Sequence, residues 1–173
     1  MKNQSIFCTF AAIFIQSQIF GADAINYQWG LLTNNVQMSI RLNSVSNETR
    51  IGDRVELLIH LRNISTNKND IFTGRYSLGG GSGQGLSFNV LNPSGKDVSP
   101  KYPKNYEAIH AIALVSGLPC QTNSFKFDLS TLCKFDQVGT YKIIAMQRGR
   151  LGTNQLFFTV ASNPLNISVV GDK

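Results

Sequence analysis

The chain of 173 residues is 42% hydrophobic and 15% charged, and its 16 Lys and Arg against 10 Asp and Glu give a net charge of +6. That composition excludes a disordered chain. The 15 Gly follow no collagen-like period, and no run reaches the ~18 unbroken apolar residues of a membrane span.

In chain order, residues 1–24 come first. Lys2 supplies a positive start, Ile6 to Ile15 is an apolar run too short to cross a bilayer, and Ala22-Asp23-Ala24 places small side chains where signal peptidase admits them. This pattern predicts a cleaved signal peptide over 1–24, which takes Cys8 with it, and one domain over 25–173. Losing Lys2 and Asp23 leaves the net charge at +6. A periplasmic or extracellular chain of that charge is expected to meet an anionic envelope surface, a glycan or another protein, and no nucleic acid. No transmembrane segment is expected after cleavage.

Val36 to Leu42 alternates apolar and polar residues, the period of a strand with one face in a core. After the Gly52-Asp53 turn, Arg54 to Arg62 does the same, with Val55, Leu57, Ile59 and Leu61 on one side and Arg54, Glu56, His60 and Arg62 on the other. Asn63 to Asp70 reads as a loop, Ile71 to Tyr76 as a short strand, and Gly79 to Gly85 as a flexible connection. Leu86 to Leu91 alternates again. Asn92-Pro93-Ser94-Gly95 has the residues of a type I turn, which predicts a hairpin with Lys96 to Ser99. Tyr106 to Val115 reads as a strand, Phe125 to Leu129 alternates, Ser130 to Phe135 fits one helical turn, and Gly139 to Ala145, Leu156 to Val160 and Leu165 to Val170 are extended runs. No window sustains helical periodicity. Seven to nine strands are expected, in an all-β, immunoglobulin-like antiparallel β-sandwich.

The sandwich is favoured by Asp136-Gln137-Val138-Gly139-Thr140-Tyr141, which resembles the entry to strand F of immunoglobulin-like domains, where a Tyr hydroxyl bonds to backbone a few residues upstream. Trp29-Gly30, Ile40-Arg41-Leu42, Leu61-Arg62-Asn63-Ile64-Ser65, Phe127-Asp128-Leu129-Ser130, Gly139-Thr140-Tyr141 and Ser162-Asn163-Pro164 together resemble a family of exported, uncharacterised bacterial immunoglobulin-like proteins. The resemblance implies the fold and export, and it brings no catalytic residues. In that family a Pro-Gly turn stands at Leu118-Pro119-Cys120 and an aromatic residue at Cys133. Two cysteines in an exported domain propose a Cys120–Cys133 disulfide. Against it, an extended Phe125 to Leu129 carries the chain roughly 15 Å, whereas bonded Cα atoms lie within about 7 Å.

Motifs for chemistry are sparse. The glycine run lacks the Lys-Ser or Lys-Thr and the helix of a phosphate loop, Gly81-Ser82-Gly83 lacks the strand-to-helix setting of a nucleophile elbow, and His60 and His110 have no metal-ligand spacing. No catalytic residue, metal or cofactor is therefore expected. His60 is read as part of a solvated strand face. Arg54, His60 and Arg62, with Arg41 on a neighbouring strand, form a speculative basic patch interrupted by Glu56. Asn47, Asn63 and Asn166 each begin an Asn-x-Ser/Thr triplet, a glycosylation acceptor in hosts that use it. The expected function is a non-catalytic binding module using loops at the sandwich ends. The alternative is an immunoglobulin-like proteinase inhibitor, for which Arg62-Asn63-Ile64-Ser65, Leu86 to Val90 and Asn92 to Gly95 have a similar rhythm, and a hydrolase is a remote third reading.

Overall fold

The computed structural model describes residues 27–75, 85–101, 114–152 and 157–171. The expected signal peptide, all but the last residue of the Gly79 to Gly85 connection, His110 and most of Tyr106 to Val115 lie outside them.

Among the described residues, ten strands build two sheets: β1 (Val36–Leu42), β2 (Glu48–Arg50), β3 (Glu56–Asn63), β4 (Phe72–Arg75), β5 (Leu86–Leu91), β6 (Leu114–Gly117), β7 (Gln121–Asp128), β8 (Gly139–Leu151), β9 (Phe157–Ala161) and β10 (Leu165–Val170). The smaller sheet is antiparallel, in the order β1-β3-β7. The larger is organised by β8, whose first half pairs with β10 on one side and β5 on the other, while its second half pairs with β9 and β4. At the edges, β2 joins β10 in parallel and β6 joins β4. The fold is the expected all-β, immunoglobulin-like sandwich.

Alternation decides what fills it. Val36, Met38, Ile40 and Leu42 of β1 meet Leu57, Ile59 and Leu61 of β3 and, across the core, Leu86, Phe88 and Val90 of β5 and Tyr141, Ile143 and Ala145 of β8. Phe88 stacks on half-buried Phe127 with ring centres 4.9 Å apart, joining the two sheets. Each Val, Leu, Ile, Met or Phe side chain among them contributes roughly 1.5–3 kcal/mol when fully buried. The Tyr141 hydroxyl accepts a hydrogen bond from the Gln137 backbone N–H at 3.1 Å, so the corner entering β8 is pinned as the sequence pattern implied.

Several boundaries differ from the alternation reading. Strand β3 starts at Glu56, leaving Arg54 before it in the connection from the Arg50–Asp53 turn. Strand β8 continues to Leu151, because β9 and β4 flank its far half. Lys96 to Ser99 returns beside β5 without forming a strand, through a Leu91–Asp97 bridge, a Val98 N–H to Val90 carbonyl bond and a Val90 N–H to Ser99 Oγ bond, although the Asn92–Gly95 turn forms. The three-residue β2 shows no apolar alternation, since Thr49 alone faces inward. The helical turn is a 3-10 turn over Leu129–Thr131, capped by Asp128.

Two close approaches need glycine. A Cβ at Gly149 would stand 2.4 Å from the Phe72 ring, so only glycine lets that fully buried ring lie against β8. A Cβ at Gly30 would stand 2.0 Å from the Ala161 carbonyl oxygen, where the segment before β1 crosses the end of β9.

Leu57 is fully buried between Leu42 and Phe127 in register. Replacing it with Ala is expected to cost ~2–5 kcal/mol through lost transfer energy plus a cavity. Tyr141→Phe, which leaves the Gln137 N–H without its partner, is expected to cost about 1–3 kcal/mol. Urea unfolding checks both: the midpoint should fall at an unchanged slope.

Candidate functional site

The outward face of the small sheet carries the residues proposed from sequence as a basic patch, but it does not join them. Arg54 and Arg62 stand at opposite ends of this face, about 26 Å apart at ~3.3 Å per residue. Arg54 is exposed and lies 3.9 Å from Asp128, and Lys126 lies 3.5 Å from Glu56. The Arg62 guanidinium donates to Gln37 Oε1 at 2.7 and 3.0 Å and lies 4.2 Å over the Trp29 ring.

His60 corrects the solvated-face reading: it is 3% exposed. The segment before β1 folds back at a tight turn, with reciprocal Thr33 and Val36 backbone bonds and left-handed Asn34 and Asn35. It continues along β1 to bring Tyr27 onto His60, ring centres 4.5 Å apart. Small Ser39, opposite His60 in register, leaves room for that ring. His60 Nδ1 is 2.6 Å from Ser124 Oγ, while Nε2 is buried and has no partner. Burial, and then the charge of Arg41, hold its pKa below the ordinary 6.5.

The loop end of the sandwich is more highly organised. Asn63, 1% exposed, donates from Nδ2 to the backbone carbonyls of Asp70 and Gly117, and its Oδ1 accepts from Ser65 N. Ser65 Oγ donates to Asp70 Oδ2 at 2.7 Å and accepts from Asn67 N at 3.1 Å. Asn67 Oδ1 in turn accepts from Asn69 N. Three neighbours dock on this loop: Ile64 N–H bonds the Asn35 carbonyl, Cys120 Sγ donates to the Ser65 carbonyl at 3.3 Å, and Gly152 N–H bonds the Ile71 carbonyl. Of nine large apolar side chains exposed among the described residues, five gather at or beside this end: Leu31, Leu32, Ile64, Leu118 and Phe157. The ordering network was not legible beforehand, because Ser, Asn and Asp in a loop look alike whether they bond each other or water. The triplet at Asn63 is buried in it, whereas Asn47 and Asn166 are exposed.

Cys120 and Cys133 are both free, so the candidate disulfide is not formed. Cys120 is exposed in the turn entering β7, and Cys133 is buried beyond its other end. Cys120 occupies a left-handed position at φ 59°, following Pro119, in a turn closed by the Gln121 N–H to the Leu118 carbonyl at 3.2 Å. Glycine is the residue that takes this conformation freely; a side chain there costs about 1–2 kcal/mol. Cys133 borders a cleft of about 330 Å³ with Ile51, Asp53, Lys134 and Phe135. Burial, reinforced by the Asp97 carboxylate, pushes its thiol up to about 11, so at neutral pH it is a protonated packing group. No group of three or more His, Cys, Asp or Glu side chains among the described residues is arranged to hold a metal ion.

No family model matches the chain, and no curated protein matches it. Among solved structures it is similar to a β-glucosidase from Listeria innocua, at 11% identity and a TM-score of 0.41, over 79% of this chain and 16% of that one. It is also similar to Spo0M, a sporulation control protein from Bacillus subtilis, at 13% identity and a TM-score of 0.35, over 79% of this chain and 50% of that one. The chain thus spans about one sixth of the β-glucosidase and half of Spo0M.

Exposed Cys120 should alkylate in the native protein and buried Cys133 only after unfolding, as mass analysis of peptides will read. Because the Cys133 pKa is raised from 9.0 to about 11, its contribution to stability is complete below pH 9 and falls as pH rises through 11. For His60 the sign is opposite. Its depressed pKa penalises the charged form in the folded state, so stability should decline as pH falls below 6.5. His60→Gln should flatten that acid limb, measured by thermal unfolding across pH.

Proposed function

We propose that this chain is an exported, non-catalytic binding module that contacts a protein partner through the loop end of its sandwich. The observation that carries the reading is the concentration of exposed apolar side chains around a loop already held by its own hydrogen bonds. A loop ordered before binding spares much of the entropy that a mobile one would lose on contact. Exposed apolar groups set among polar ones supply contact area once water is expelled.

Export rests on the basic start, short apolar run and Ala-x-Ala site of residues 1–24. The non-catalytic character is supported by the state of the reactive groups: His60 is covered by Tyr27 and engaged by Ser124, and the Cys133 thiol is buried and protonated. A proteinase inhibitor would present an extended segment, whereas Asn63–Asp70 turns back on itself through the Asp70 N–H to Asn67 carbonyl bond.

The test is binding to an immobilised panel of proteases and envelope proteins, with turnover followed in parallel. Ile64→Asp and Leu118→Asp should each weaken capture at least tenfold, while Val45→Asp, at the opposite end of the sandwich, should leave it unchanged. Binding that survives both loop-end changes overturns the site, and turnover of a bound protein overturns the non-catalytic reading.

A further inference from the structure

The charge excess is unequally divided between the two sheets. On the small sheet, cations are offset by Glu56 and Asp128. On the large sheet, β4, β5, β6, β8, β9 and β10 contain no Asp or Glu; Glu48 lies on the edge strand β2, and Asp97 bridges to Leu91 at the outer edge of β5.

Strand β8 sets what this face presents. Tyr141, Ile143, Ala145, Gln147 and Gly149 turn inward, so Lys142, Ile144, Met146, Arg148 and Arg150 all turn outward. Register places Leu91 and Asn166 beside Lys142, Ser87 and Ala161 beside Met146, and Thr159 beside Arg148. Phe157, opposite Arg150, is exposed, with the Arg148 guanidinium 5.6 Å from its ring. Lys142 and Arg148 are exposed and have no acidic partner among the described residues, while Ile144 and Met146 between them are half-buried. Lys142 and Arg150 are about 26 Å apart along the strand at ~3.3 Å per residue.

Cations interleaved with apolar side chains, on strands that themselves carry no carboxylate, are complementary to a surface that is anionic outside and apolar beneath. We infer that the outer face of the large sheet docks on an anionic phospholipid bilayer surface. Phosphate groups meet Lys142 and Arg148, and Phe157 and Met146 lie toward the acyl boundary. Near such a surface each basic residue contributes about 1 kcal/mol, or roughly fivefold in partition, so two give about 25-fold over a neutral bilayer. A soluble acidic polymer could satisfy the cations but leaves the apolar side chains without a partner. Phe157 borders both this face and the loop end, whereas Lys142 and Arg148 belong to this face alone, so either assignment can fail without the other.

The test is co-sedimentation of the full chain with phosphatidylglycerol-containing vesicles and with pure phosphatidylcholine vesicles. Comparing the two cancels any contribution of the apolar N-terminal run. Preference for the anionic vesicles should exceed tenfold and weaken at ~0.15 M salt, where screening acts over about 8 Å. The double variant Lys142→Glu and Arg148→Glu should abolish it. Arg54→Glu with Lys126→Glu, an equal change in net charge on the small sheet, should retain most of it, and thermal unfolding confirms that both variants fold. Phe157→Ser, at the rim and not needed for folding, should weaken the binding that remains at higher salt. Equal loss in both double variants would reduce the effect to net charge and overturn the assignment. Capture by an acidic polysaccharide without vesicle preference would overturn the bilayer as partner.

Discussion

The structure depends on one long strand being bonded along both edges. β8 is thirteen residues long, and its two sides are each shared by two shorter strands, β10 then β9 on one and β5 then β4 on the other. Such an arrangement lets a sheet with short, broken edges act as one body, because every segment is anchored to the same backbone. It also needs β8 to enter at the right height. The Gln137 N–H to Tyr141 hydroxyl bond holds that entry, and Phe135 packs on the same ring with centres 5.0 Å apart. A shift of one residue would turn its entire inward set to solvent.

The two sheets meet along one side where the β9–β10 edge breaks. Pro164 lacks an N–H and ends ladder pairing there, and Ser162 repairs the interruption by donating its backbone N–H to the Ala145 carbonyl while its hydroxyl accepts from Ala145 N. The same Ser162 bridges to Met38 of β1, and Gly30 lies against the adjacent Ala161 carbonyl. The segment before β1 is thereby held in place, which is how Tyr27 and Trp29 come to lie on His60 and Arg62. Local chemistry at a strand break thus controls how an opposite sheet face is covered.

Alternating residues were the most readable part of the chain. Val36 to Leu42, Leu86 to Leu91 and Leu165 to Val170 match strands residue for residue, since an inward apolar set with period two has no other compact use. The far half of β8 was less readable. Met146-Gln147-Arg148-Gly149-Arg150 places a polar side chain and a glycine inward, and only the proximity of Phe72 explains the glycine. Its outward residues Lys142, Ile144, Met146, Arg148 and Arg150 do keep the period, which is the signal that would have found the cationic face. Attention to β3 found Arg54, His60 and Arg62 instead, because three basic side chains at even spacing look like a patch until their neighbours are known.

By itself the sequence determined the all-β class, the principal strand faces, the Asn92–Gly95 turn and the Tyr141 corner, all of which rest on interactions between residues close in the chain or on a strict period. Tertiary structure decided the burial of His60, the separation of Arg54 from Arg62, the ordering of Asn63–Asp70 and the company that Lys142 and Arg148 keep on the large sheet. Those properties depend on which distant strand lies beside which, and a side chain's burial, charge balance and hydrogen-bond partner are set by that neighbour rather than by its own position in the chain.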